Sequence, residues 1–284
     1  MAGLARHGPG RRARDVRPDR RRARRVVTDV RRVRREPPPF RRLTVRSTAM
    51  ISTRMMRVVL GGDELAGFAI EAPASSVRLL LPPLGERELV MPTWTGNQFE
   101  LPSGARAPIR TFTPRYFDAD RLELTIDAVI HDGGAATDWA RAAEVGDPSA
   151  ISGPGRSERP DAEATSHLLV GDETALPAIG QLLEALPRDQ PVEVHAEIAE
   201  PGAELDLPPH PRATVTWHVL GVNDPPGAAM EAAIRAVDPL PEAVWVAGEA
   251  AAVQRIRTHL FDERGRSRSD VTARGYWKLG RSAT

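Results

Sequence analysis

Residues 121–134 read RLELTIDAVIHDGG, and their alternation decides the first half of the fold. Leu122, Leu124, Ile126, Ala128 and Ile130 alternate with Glu123, Thr125, Asp127, Val129 and His131. A period of two predicts a strand with one face in a core and the other turned outward. Working outward, Arg41–Thr48, Met55–Leu60, Ser76–Leu81 and Ile109–Tyr116 also read as strands. Gly61-Gly62, Pro82-Pro83 and Gly133-Gly134 punctuate the gaps. One short helix is expected over Thr137–Glu144, capped by Thr137, with Trp139, Ala140 and Ala143 on its apolar side. Many short strands and one helix predict a small antiparallel β-barrel over residues 40–157.

The pattern changes after the polar linker GPGRSERPDAEA, residues 153–164. Strands at Ser166–Val170, Val192–Ile198, Thr214–Leu220 and Ala243–Ala247 alternate with helices at Thr174–Leu186, Ala228–Val237 and Glu249–Arg264. In the first helix Leu176, Ile179, Leu182, Leu183 and Leu186 recur at helical spacing, and Pro177 falls in its first turn. Such alternation predicts a doubly wound, mainly parallel α/β domain over residues 158–284, with ligands beyond the carboxyl ends of its strands. Neither GxGxxG nor GxxxxGK[ST] is present, so the usual glycine fingerprints for phosphate are missing.

The chain of 284 residues has no cysteine, which excludes disulfides, thiolate-held clusters and thiol nucleophiles. Its net charge of +1 is a cancellation. Residues 1–36 carry 14 arginines against four acids, and the rest carries 25 basic against 34 acidic residues. Residues 1–39 are therefore expected to form a disordered, arginine-rich tail. The remainder is mildly acidic, and its charge does not indicate a nucleic-acid partner. No apolar run reaches membrane-spanning length, so no membrane insertion is expected. His195, His210 and His218 lack metal-ligand spacing, and no metal site is expected. Ser75-Ser76 lacks the context of a nucleophile elbow, which disfavours hydrolysis.

Six short motifs then narrow the reading. They are Arg110-Thr111-Phe112-Thr113-Pro114-Arg115, and His131 with Gly133-Gly134-Ala135-Ala136-Thr137-Asp138-Trp139-Ala140. Further on come Gly146-Asp147 with Gly153-Pro154, then Gly171-Asp172-Glu173-Thr174-Ala175-Leu176-Pro177-Ala178, Trp245-Val246-Ala247-Gly248-Glu249-Ala250 and Gly275-Tyr276-Trp277-Lys278. In this order, between Arg41 and Gly280, they resemble the siderophore-interacting protein family. These are flavin-dependent ferric-siderophore reductases of the ferredoxin–NADP reductase superfamily. The resemblance implies an FAD-binding barrel, then an NAD(P)H-binding-type α/β domain whose C-terminal segment covers the flavin. It implies FAD held by Arg110, Thr111, Phe112, Thr113, His131, Gly133, Gly134, Ala136 and Thr137, with Arg110 gripping the diphosphate. Thr113, Asp172 and Thr174 would form the catalytic group, Gly248 and Glu249 would accept the nicotinamide dinucleotide, and Trp277 would stack on the flavin. Phe112 stands where the family usually has tyrosine, and Ala135 where it has proline. Ferric siderophores are often anionic, so Arg115, Lys278 and Arg281 are candidates for a basic substrate pocket. The implied donor is NADH or NADPH, with ferredoxin an alternative, and the implied location is the cytoplasm. Another flavin reductase, or a siderophore-binding protein without catalysis, is an alternative use of the same fold.

Overall fold

Two sheets divide the chain where the periodicity changes. The computed structural model describes residues 37–83, 85–131, 133–155, 157 and 163–280. The arginine-rich stretch 1–36 and Arg281 lie outside the described residues.

The first lobe runs β1 (Phe40–Met50), β2 (Met55–Gly61), β3 (Val77–Leu80), β4 (Thr93–Trp94), β5 (Phe99–Glu100), β6 (Ile109–Phe112), β7 (Pro114–Asp118), β8 (Glu123–Val129), α1 (Ala135–Ala142) and β9 (Pro148–Ser152). Seven of the strands form one sheet in the order β6-β3-β9-β1-β2-β8-β7, and β4 and β5 pair separately. All its neighbours are antiparallel. The stretch expected as a single strand over Ile109–Tyr116 is two strands, split at Thr113. These two are the opposite edges of the sheet, yet one residue joins them. The sheet must therefore curl until its edges meet at Thr113, giving a half-barrel. Leu43, Val45, Val58, Leu60, Leu79, Leu124, Ile126 and Ile151 fill it.

Along β8 the expected alternation holds for Leu124, Ile126 and Ala128, but Asp127 is buried as well. Arg57 of β2 compensates it, giving Nε and Nη2 to its two oxygens at 2.7 and 2.8 Å. Helix α1 begins two residues before the expected start. Gly134 is its cap residue and makes no side-chain cap bond. Thr137 is not the cap: it is fully buried, and its hydroxyl donates to Val129 O at 3.3 Å, tying the helix to β8.

The second lobe runs β10 (His167–Asp172), α2 (Leu176–Ala185), β11 (Val192–Ile198), β12 (Ala213–Val219), α3 (Ala228–Ala236), β13 (Ala243–Glu249), α4 (Ala250–Thr258) and β14 (Val271–Trp277). Its five strands are all parallel, in the order β12-β11-β10-β13-β14. One face packs Leu169, Val194 and Trp245 against Ile179 and Leu182 of α2. The other packs Leu168, Val170, Val244 and Val246 against Met230 and Ile234 of α3 and Ile256 of α4. Helices on both faces make the sheet doubly wound. The last strand, β14, is the segment that the sequence marked only by its Gly-Tyr-Trp motif.

Among the described residues, side chains tie the lobes together at three places, beside a backbone bond from Thr53 N to Gly202 O at 3.3 Å. Arg54 donates Nε to both oxygens of Glu173 at 3.0 and 3.1 Å. Arg115 of β7 donates Nη1 and Nη2 to Glu184 of α2 at 2.9 and 2.8 Å. Gln181 of α2 accepts from Ala74 N at 2.8 Å and donates to Pro114 O at 2.6 Å.

Candidate functional site

The barrel's contribution starts at the split strand. Arg110 and Phe112 lie on one side of β6 and Thr111 on the other, as the pleat requires. Thr111 is exposed, and Phe112 packs partly on the barrel core. Arg110 is half-buried, and its one hydrogen bond runs to the carbonyl of its neighbour Ile109 at 3.0 Å. It has no carboxylate partner among the described residues. Burial, and then the charge of Arg106, pull its pKa below the usual arginine value. Thr113 is 8% exposed, and its hydroxyl makes no hydrogen bond among the described residues.

Register brings the second motif to the same end of the barrel. Pro114 pairs with Ile126, so β8 runs past Thr113 toward His131 and α1. Gly133 and Gly134 there have φ of +73° and +120°, a backbone that glycine adopts freely. A Cβ on Gly133 would meet nothing within 4 Å, so its backbone faces open space. A Cβ on Gly134 would stand 3.0 Å from the His131 ring. His131 and both glycines are exposed, and Ala136 is partly so. Among the described residues no side chain caps the first N–H groups of α1, the arrangement that favours an anion. An unpaired half-buried guanidinium, an unbonded hydroxyl and a bare helix start fit the diphosphate and polar ring edge of a flavin dinucleotide.

The α/β lobe meets this end of the barrel with the carboxyl ends of its strands. Arg54, which binds Glu173, also receives Ile130 N on its carbonyl at 2.7 Å. Asp172 closes β10. Its Oδ1 accepts from Thr174 N at 2.9 Å and Thr174 Oγ1 at 2.5 Å, and its Oδ2 accepts from Trp277 Nε1 at 2.7 Å. Glu197, at the end of β11, takes Gly227 N at 2.6 Å and Met230 N at 2.9 Å, which caps α3. Glu249, at the end of β13, takes Ala251 N at 2.6 Å and Ala252 N at 2.9 Å, which caps α4. Carboxylates at the ends of β10, β11 and β13 thus fill the start of the turn after β10, of α3 and of α4. A dinucleotide's phosphates usually sit on such starts.

Several expected site residues are engaged in contacts within the protein. Glu249 is 3% exposed, and its carboxylate caps α4. Gly248 is buried beside Asp172, where a Cβ would stand 2.6 Å from Oδ2. Arg115 is not part of an open basic pocket: it is 5% exposed, neutralised by Glu184 and stacked 3.9 Å over the Tyr116 ring. Lys278 is exposed and forms no ion pair among the described residues. Arg54, Gln181 and Glu197 were not singled out from sequence. Glu197 carried one readable signal, a charge at the end of an apolar strand.

Desolvation raises the pKa of Asp172 to about 6, against hydrogen bonds from Thr174 and Trp277 that lower it; the charge of Glu197 also raises it. The folded protein then holds this proton more tightly than the unfolded chain. Asp172 contributes stability at low pH that is lost as pH rises from about 4 to about 6, roughly 3 kcal/mol in all. Urea unfolding across that window should show this fall in the natural chain and lack it in Asp172→Asn. Equal pH slopes would rule out the assignment.

A half-barrel bearing an anion cradle, with the strand ends of a parallel α/β lobe against it, defines a ferredoxin reductase-like flavoprotein fold. Family comparison is more specific. The model for the siderophore-interacting FAD-binding domain matches residues 44–158, and that for siderophore-interacting proteins matches residues 164–280. The chain belongs to the siderophore-interacting protein family. A siderophore utilization protein from T. fusca has a TM-score of 0.77 and 35% identity, covering 88% of this chain and 96% of its own. An uncharacterized protein of Mycobacterium tuberculosis is 34% identical over 86% of this chain and 92% of its own. The NADPH-dependent ferric-chelate reductase of Escherichia coli is 39% identical over 52% of this chain and 58% of its own.

Proposed function

We propose that this protein is a cytoplasmic, FAD-dependent ferric-siderophore reductase that draws electrons from NADPH or NADH. The observation that carries the reading is Arg110, a half-buried cation on an edge strand with no carboxylate partner among the described residues. Such a charge is stabilised by a phosphate ligand, and paired hydrogen bonds from guanidinium suit a diphosphate. Arg110 and the start of α1 hold the diphosphate, Thr113 offers its hydroxyl to the ring system, and Trp277 covers it. Bound FAD supplies the conversion of a two-electron donor into single-electron delivery. Lys278, exposed at the end of β14, draws an anionic ferric siderophore to the junction. Reduction to iron(II) weakens its hold on hard oxygen ligands, and the metal is released. The name of the Escherichia coli relative, an NADPH-dependent ferric-chelate reductase, supports both donor and substrate class.

The test is a turnover measurement with FAD-loaded protein. NADPH oxidation should depend on added ferric siderophore and yield about two iron(II) per nucleotide, trapped by a ferrous chelator. Binding of the ferric siderophore without any nucleotide oxidation would instead identify a carrier.

A further inference from the structure

Strand β14 contains an irregularity beside the site. Gly248 of β13 pairs with Gly275, but the next residue, Glu249, pairs with Trp277, so Tyr276 is an extra residue in the ladder. A bulge of this kind re-aims the side chain that follows it. Gly275 makes room for the strand, since a Cβ there would stand 3.1 Å from the Ala250 Cα. Beyond the bulge, Leu279 N donates to Glu249 Oε1 at 3.2 Å. The re-aimed Trp277 places its indole Nε1 2.7 Å from Asp172 Oδ2. Asp172 is itself immobile: Thr174 holds its other oxygen twice, and the missing side chain of Gly248 leaves the space its carboxylate occupies. A rigid acceptor, a bulge and a downstream anchor all act on one aromatic ring.

We propose that Asp172 is a positioning residue that acts through Trp277, its carboxylate fixing the indole plane that the flavin meets at the lobe junction. Asp172 then touches neither the electron donor nor the iron complex, in place of the catalytic role its motif suggested. The proposal rests on the reading of Trp277 as the ring against the flavin.

The ligand-free protein reports the latch directly, through the indole N–H resonance of Trp277 in a proton–nitrogen NMR spectrum. Trp277→Phe assigns that resonance by removing it. Asp172→Asn should shift it toward the position of a water-exposed indole. In the natural chain it should titrate with a midpoint near 6, where Asp172 exchanges its proton. With FAD, Asp172→Asn and Trp277→Phe should each weaken binding about tenfold, the loss of one oriented contact. The double variant should be no weaker than either single one, because both break the same link. An indole resonance unmoved in Asp172→Asn, or additive losses in the double variant, overturns the proposal. If Asp172→Asn does not fold, the titration in the natural chain and the Trp277→Phe affinity still decide. An intact, titrating indole in a protein that takes up no FAD would instead overturn the flavin reading, and the purpose of the latch with it.

Discussion

Arg110→Ala is expected to weaken FAD binding about 100-fold while leaving the stability of the ligand-free fold within about 1 kcal/mol. The two halves of that result have one cause. Arg110 joins no ion pair among the described residues, and its single hydrogen bond stays within its own strand. Removing it strands no buried carboxylate, so the protein loses little. Burial and the neighbouring charge of Arg106 mean that the ligand-free protein holds this cation against a desolvation cost. A diphosphate relieves that cost, and truncating one partner of such a pair typically forfeits a few kcal/mol of binding. A loss of 100-fold corresponds to about 2.7 kcal/mol. Arg106 is exposed, and Arg106→Ala should change FAD affinity much less. Flavin fluorescence titration and urea unfolding measure the two quantities separately. Unchanged FAD affinity in Arg110→Ala would remove the diphosphate from this strand. A collapse of the fold would mean that Arg110 is a structural residue.

What could be read in advance follows a physical line. Strand β11 coincides with the expected Val192–Ile198, and β8 and α2 lie close to expectation, because each element's burial pattern is written in its own residues. Strand β9 was not foreseen. Pro148-Ser149-Ala150-Ile151-Ser152 has little strand character, and it is held by partners on both sides, with Ile151 facing Arg41 of β1 and Leu79 of β3. The break at Thr113 was hidden for the same reason, since only the closing of the sheet shows that two edges meet there. Its consequence reaches the site: Arg110 and Arg115 stand five residues apart in one motif, but a break between them removes any parity argument about which face each takes. The motifs marked positions without fixing what each side chain does. An acid at the end of a parallel strand reads equally as a ligand contact or as a cap for the next helix. Asp172 and Glu249 were legible as strand-end residues, but only the positions of Thr174 N, Ala251 N and Ala252 N show that both are caps. The ties between lobes were beyond any local pattern, Arg54 and Glu173 being 119 residues apart.

Removing Glu184 should be the most damaging single change at the lobe junction. The Arg115 side chain is 5% exposed and that of Glu184 is 44%, so the pair is lopsided: the acid reaches water and the base does not. Helix α2 presses on the guanidinium, and a Cβ added to Gly180 would stand 2.9 Å from its Nε. The Tyr116 ring covers it from another side, with 3.9 Å to the ring centroid. Glu184→Ala therefore leaves a largely buried guanidinium without its carboxylate. Breaking a buried pair this way costs about 3–5 kcal/mol, and the exposure of Glu184 places the expected loss near the lower figure. Arg115→Met removes the charge but keeps most of the packing volume, and should cost about 1 kcal/mol. The double variant should resemble Arg115→Met alone, recovering about 2 kcal/mol of the Glu184→Ala loss, because no charge remains to be stranded. Such a recovery, read from urea midpoints of the three variants, separates a charge penalty from a general loosening of α2. Loosening alone would give losses that add. A Glu184→Ala loss below about 0.5 kcal/mol would show that water reaches Arg115 once its partner is gone, as at an ordinary surface pair. The lobes would then be held by Arg54 with Glu173, by Gln181, and by the apolar contacts of Met55 and Ala74 with the α2 core.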